Sequence, residues 1–168
     1  MFNERIQKIR DIIRDAGADA FLLINHELSG QPGTRYLSGF LGSESILVIT
    51  EKETLILADG RYFSQIKKEC SDFELVRVES LPFLDVLKTV CKRLNLKKFY
   101  IDTARTYHGF VVRLNEQMEN ISIIGSENIL QNVRIIKNEG ELTKIKENIQ
   151  KLSIDVAAET LLLLHVYD

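Results

Sequence analysis

Ser45-Ile46-Leu47-Val48-Ile49-Thr50-Glu51-Lys52-Glu53-Thr54-Leu55-Ile56-Leu57-Ala58 decides the fold class. Two apolar, β-branched runs, 45–50 and 54–58, are separated by three polar residues. That link is too short for a parallel crossover, so the pair is an antiparallel hairpin. Upstream, Phe2, Ile6, Ile9, Ile13 and Ala16 recur every three or four residues and form one helical stripe, with Gly17 as its stop. Residues 19–24 then read as a buried strand. Downstream the chain alternates. A helix runs to about residue 70 with Tyr62, Ile66 and Cys70 on one face, and residues 73–78 form a strand. Ser80 is placed to cap a helix that turns Phe83, Leu84, Leu87, Cys91 and Leu94 inward. Residues 98–102 form a strand, 107–116 a helix with Tyr107, Phe110, Val111 and Leu114 together, and 121–124 a last strand. A hairpin followed by strand–helix alternation predicts an α/β domain over residues 1–137: a mixed sheet of about six strands flanked by helices.

The remaining residues, 138–168, do not continue that pattern. Asn138 and Glu141 have capping-box spacing. Leu142, Ile145, Ile149, Leu152 and Val156 then follow at intervals of 3, 4, 3 and 4. The expectation is one long C-terminal helix of about 25 residues. Its stripe broadens at Leu161, Leu162, Leu163 and Leu164, and a helix apolar all round should be buried there. It either folds back on its own domain or belongs to a neighbouring domain or subunit. No internal repeat or low-complexity stretch occurs.

Composition narrows the function classes. The 168 residues are 45% hydrophobic and 27% charged, with 22 basic and 24 acidic side chains and a formal net charge of −2. That balance gives no electrostatic footprint for nucleic acid. The longest apolar runs are far too short to span a membrane. Cys70 and Cys91 are too few for a disulfide framework and read as buried free thiols, which suits a reducing cytoplasm. The N-terminus opens an amphipathic helix, not the apolar core of a signal peptide.

Candidate chemistry is sparse. His26, His108 and His165 fall in separate elements, and none is spaced at i, i+4 from another ligand. Asp19, Asp59, Asp72 and Asp102 lie near strand ends, where acids either bind magnesium or, more often, order turns. No phosphate-binding glycine motif and no nucleophile elbow is present. The segment from Asn25 to Glu44 is unusual. It carries Gly30, Pro32, Gly33, Gly39 and Gly42, lacks a sustained period, and holds Arg35, Tyr36 and Phe40. A short helical turn is expected after Pro32. After the hairpin comes Asp59-Gly60-Arg61-Tyr62. Arginines and aromatics on loops can bind a carboxylate and an apolar side chain; equally, Arg61 can pair with an acid while the aromatics fill core.

Three segments carry a family resemblance. Thr34-Arg35-Tyr36-Leu37-Ser38-Gly39-Phe40 with Gly42-Ser43 resembles the RYLTGF-GS segment of proline-specific aminopeptidases and prolidases. Leu57-Ala58-Asp59-Gly60-Arg61-Tyr62 resembles their L-TDGRY segment, with Ala58 in place of the usual Thr. The stretch from Val133 to Glu141 resembles the segment leading into their catalytic domain. The resemblance implies the amino-terminal domain of this family, which includes creatinase, and a ribonuclease H-like fold. It also implies a following pita-bread domain with two divalent metals, manganese or cobalt. The Asp, Asp, His, Glu and Glu ligand motifs of that domain are not found in these 168 residues, so no metal and no catalytic residue is assigned to this chain. The family would continue past Glu159 with a helix end and a glycine-containing turn, and residues 161–168 depart from it.

By resemblance, Arg35, Tyr36 and Phe40 belong to a loop that approaches the active site of a neighbouring subunit and narrows its entrance. Arg61 and Tyr62 support the fold, and Asp59 orders the turn at Gly60 or caps the helix after it. The expected substrates are short peptides with proline at the second position, acted on by a cytoplasmic homo-oligomer in which this domain serves assembly and access. The alternatives are a stand-alone α/β module binding a small ligand or protein, and a ribonuclease H-like nuclease built on the strand-end acids.

Overall fold

The computed structural model describes the backbone of residues 2–26, 32–118 and 120–165, and the side chains of the same residues up to 154. The chain divides into two compact units, Met1–Val133 and Arg134–Asp168.

The first unit is built on a six-stranded sheet. Its strands are β1 (Ala20–Asn25), β2 (Ser45–Thr50), β3 (Thr54–Asp59), β4 (Glu74–Val78), β5 (Lys98–Asp102) and β6 (Ser122–Ser126). Its helices are α1 (Phe2–Asp15), α2 (Pro32–Ser38), α3 (Phe63–Glu69), α4 (Phe83–Leu94) and α5 (His108–Gln117); α6 (Ile129–Ile135) straddles the boundary. The spatial order is β4-β3-β2-β1-β5-β6. The hairpin is antiparallel, with Leu47 opposite Ile56, and β1 adds to it antiparallel, with Leu23 opposite Leu47. The outer pairs, β3–β4, β1–β5 and β5–β6, are parallel, so the sheet is mixed and flanked by helices as expected.

Every residue of β1 and β2 is buried. Side chains alternate across a strand, so two faces need two covers. Leu22, Ile24, Ile46 and Val48 pack with Leu84, Leu87 and Cys91 of α4 and Phe110 and Leu114 of α5. Phe21, Leu23, Leu47 and Ile49 pack with Ile6, Ile9 and Ile13 of α1, Leu37 of α2, Ile66 of α3 and Leu130 of α6. Burial pushes the Cys70 thiol up to about 11 and the Cys91 thiol up to about 12, so both stay protonated at neutral pH.

Helix ends follow local chemistry. Gly17 takes φ +58, with Gly17 N–H on the Arg14 carbonyl and Ala18 N–H on that of Ile13. This pair of bonds is the Schellman stop. Asn95, with φ 52, ends α4 in the same way. The start of α4 differs from the expectation that Ser80 caps it. Pro82 is the cap residue, with an extended ψ of 152 and its carbonyl accepting from Asp85 and Val86. Ser80 lies two residues too early to reach the first-turn N–H groups. Helix α5 begins one residue late, at His108, with Tyr107 as its cap. Strand β1 extends to Asn25, while Asp19 turns its carboxylate onto the N–H groups of Lys97 and Lys98 at 2.7 and 2.9 Å.

The second unit contains α7 (Glu139–His165), 27 residues long. Its capping box forms: Glu141 N–H donates to Asn138 Oδ1 at 2.9 Å, and Asn138 N–H to Glu141 Oε2 at 3.0 Å. The side chains of Val156 and of Leu161 to Leu164, and Gly30 in the β1–α2 connection, lie outside the described residues.

Leu47 is fully buried in the central strand. Leu47→Ala should lower unfolding free energy in urea by about 2–5 kcal/mol. Val112→Ala, on a residue 37% exposed, should cost far less. Equal losses would contradict this placement of the core.

Candidate functional site

The Arg35–Phe40 segment forms the C-terminal half of α2 and its exit. Gly39 ends the helix with φ +81, its N–H on the Arg35 carbonyl at 2.9 Å. A Cβ there would meet the Phe2 ring at 3.0 Å and the Glu69 carbonyl at 3.3 Å, so position and conformation both call for glycine. The chain then drives Phe40 into the core, 1% exposed. It crosses back over that ring at Gly42, where a Cβ would clash with the ring itself.

The Asp59–Tyr62 turn meets this exit. Arg61 binds Asp59 in a fork, Nε to Oδ1 at 3.0 Å and Nη2 to Oδ2 at 2.8 Å. The same Nη2 donates to Glu44 Oε2 at 2.8 Å. The Arg61 backbone N–H also donates to Asp59 Oδ1 at 2.9 Å. Tyr62 shares a hydroxyl hydrogen bond with Ser43 at 2.8 Å and stands edge-on to Phe40, the ring centres 5.3 Å apart. These groups form a clasp that fixes the α2–β2 loop against the β3–α3 turn. The Arg61 guanidinium holds the Asp59 carboxyl below the usual carboxylate range. Arg61 is half exposed, so the clasp sets geometry more than it adds stability.

The three loop residues singled out for substrate access do not share one surface. Arg35 is exposed on α2. Tyr36 is half-buried: its carbonyl accepts Arg5 Nη1 at 2.7 Å, and the Arg5 guanidinium lies 4.1 Å from the centre of its ring. Phe40 is an interior anchor. Arg5, Ser43 and Glu44 were not legible as partners. The one sign of Arg5 is a cation at position 5 between Phe2 and Ile9, on the apolar stripe of α1. Ser43 and Glu44 are ordinary loop residues until the turn at Asp59 is brought beside them.

The strand-end acids do not converge. Asp19 caps the entry to β5. Asp102, fully buried, accepts Ala104 N–H and Leu130 N–H, each at 3.2 Å, and so ties β5 to the start of α6. His26 packs edge-on against Tyr107 with ring centres 5.1 Å apart. Among the described residues no group of three or more His, Cys, Asp or Glu could hold a metal ion, so these residues do not fit a dinuclear centre.

Residues 5–136 match the family model described as the creatinase/prolidase N-terminal domain. The chain belongs to this family. Within it, this creatinase/prolidase N-terminal domain is similar to a solved X-Pro aminopeptidase of Thermotoga maritima. The TM-score is 0.76 and the identity 35%, covering 84% of this chain and 38% of that one. An uncharacterized peptidase of Bacillus subtilis, YqhT, is 22% identical over 151 residues, 90% of this chain and 41% of its own. The X-prolyl aminopeptidase of Caenorhabditis elegans, described as a cytosolic enzyme with a di-nuclear active site, shares the fold. Its TM-score is 0.63 at 18% identity, over 79% of this chain and 25% of that one. The domain thus spans about two-fifths, or less, of these relatives. No helix among the described residues is long and apolar enough to cross a membrane.

The clasp gives a pH prediction. A carboxyl held low in the folded state stabilises it above the ordinary aspartate range, and that contribution disappears as pH falls through the lowered value. In an NMR titration the Asp59 carboxyl should therefore titrate below ordinary aspartates, and Arg61→Gln should move its midpoint up. A midpoint unmoved by Arg61→Gln would contradict the clasp.

Proposed function

We propose that this chain is the amino-terminal domain of a proline-specific metallopeptidase, either an Xaa-Pro aminopeptidase or a dipeptidase. In this reading it serves assembly and substrate access and does not hydrolyse peptides by itself. The observation that carries the reading is the family match across residues 5–136, in a chain that covers 38% of its 35%-identical solved relative. The α/β domain would end near residue 137, and residues 138–168 would lead into the catalytic domain. That domain would supply the ligands for two divalent metals, manganese or cobalt. The substrates would be short peptides with proline at the second position, and the whole protein a cytoplasmic homo-oligomer.

Within the proposal, Arg35 and Tyr36 lie at the entrance of a neighbouring subunit's active site. Arg35 offers an exposed cation for a peptide carboxylate. Tyr36 is held from behind by Arg5. Phe40 acts from beneath, as the anchor that fixes where α2 ends. The Asp59–Arg61–Tyr62 clasp sets the loop that follows, so support for the entrance comes from groups that never meet substrate.

The test is hydrolysis of Xaa-Pro peptides by the purified chain with manganese or cobalt added, alongside sedimentation. No turnover above metal alone and a self-associating species are expected. Metal-dependent turnover that persists through purification and changes with substitutions in this chain would overturn the reading.

A further inference from the structure

A cleft of about 320 Å³ opens on the α4–α5 side of the sheet, beside the clasp but facing away from α2. Its floor is apolar: Ile24, Ile46, Leu84 and Phe110, all buried or nearly so. Its size suits one small molecule. Two carboxylates line it: Asp85 has a cation of its own, and Glu44 shares one with Asp59. Glu44 is paired with Arg61 at 2.8 Å, and Asp85 with Lys88 at 3.0 Å.

The remaining charged group is Arg113, and it is different. Among the described residues no carboxylate lies within ion-pairing distance of it. Its Nη2 donates to the Tyr107 hydroxyl at 2.8 Å, and its guanidinium lies 5.6 Å from the centre of that ring. Tyr107 is itself held edge-on between His26 and Phe110, at 5.1 and 5.9 Å. The stack orients an exposed guanidinium at the mouth of an apolar pocket, and it leaves donors to spare. Arginine presents five N–H groups in a fork that matches a carboxylate.

We propose that this cleft binds a small organic carboxylate with an aliphatic or aromatic tail. The carboxylate pairs with Arg113 and the tail lies on Ile24, Ile46, Leu84 and Phe110. The site is distinct from the Arg35–Tyr36 surface and needs no metal.

The test is a residue-resolved ¹H–¹⁵N NMR titration of the intact chain with 4-methylpentanoate. Four comparisons accompany it: 4-methylpentanamide, acetate, inorganic phosphate, and the variant Arg113→Gln. Saturable shifts confined to residues 24–26, 45–46, 83–85 and 107–113 are expected for 4-methylpentanoate. The amide should bind about threefold more weakly or worse, as should Arg113→Gln with 4-methylpentanoate, since each lacks the charge-assisted pair. Acetate and phosphate, lacking a tail, should be weaker by a similar factor. Arg113 is exposed, so its replacement should leave the rest of the spectrum in place. Equal binding of the amide, or unchanged affinity in Arg113→Gln, would overturn the ionic half of the proposal. Phosphate binding as tightly as 4-methylpentanoate would overturn the apolar half, and shifts elsewhere would overturn the site.

Discussion

Burial of β1 and β2 on both faces is the constraint from which the rest of the domain follows. A strand with one wet face needs one helical layer; these two need two. The hairpin and β1 form an antiparallel centre, and the parallel pairs are added outside it. Helices α4 and α5 cover one face, and α1, α2, α3 and α6 the other. Both loops of interest hang from this centre. The α2 segment lies between β1 and β2, and the Asp59 turn leaves β3. The antiparallel pairing brings them to the same end of the sheet, where Arg61 and Tyr62 reach Glu44 and Ser43.

That arrangement divides labour among residues that look alike in a motif. Arg35 and Arg61 both sit in family-like segments, yet one is exposed on a helix while the other is committed to two carboxylates. Tyr36 and Tyr62 are both half-buried, the first under the Arg5 guanidinium and the second against Phe40 and Ser43. The conformational demands at Gly39 and Gly42 explain why the segment is glycine-rich. One permits the helix to end against Phe2 and Glu69; the other lets the chain pass over the Phe40 ring. At the end of α2, Arg5 holds Tyr36 and the buried Phe40 anchors the chain as it leaves the helix.

Much of the fold was legible from periodicity. The hairpin, the stripe of α1, the Gly17 stop, the capping box at Asn138 and β5 at residues 98–102 stand where residue pattern places them. Helix α6 was not legible, since Ile129, Leu130 and Val133 span too few turns to show a period. It is set by a distant group, the buried Asp102 carboxylate receiving Leu130 N–H. The start of α4 was misread because Ser80 is a good cap type, but Pro82 fixes the entry geometry. The site was less legible than the fold. Its motif residues could be picked out, but their partners could not. Arg5–Tyr36, Arg61–Glu44 and Tyr62–Ser43 depend on tertiary proximity, whereas Arg113 and Tyr107 are only six residues apart.

A doubly covered antiparallel centre holds the α2 segment and the Asp59 turn. Residue-resolved hydrogen exchange on the intact chain measures that directly, because amides in the most stable unit open only with global unfolding. The slowest amides should fall in β1, β2 and β3, with free energies of opening that match the global value from urea unfolding. The edge strands β4 and β6 should exchange faster. Exchange in β1 and β2 as fast as in those edge strands would contradict the account.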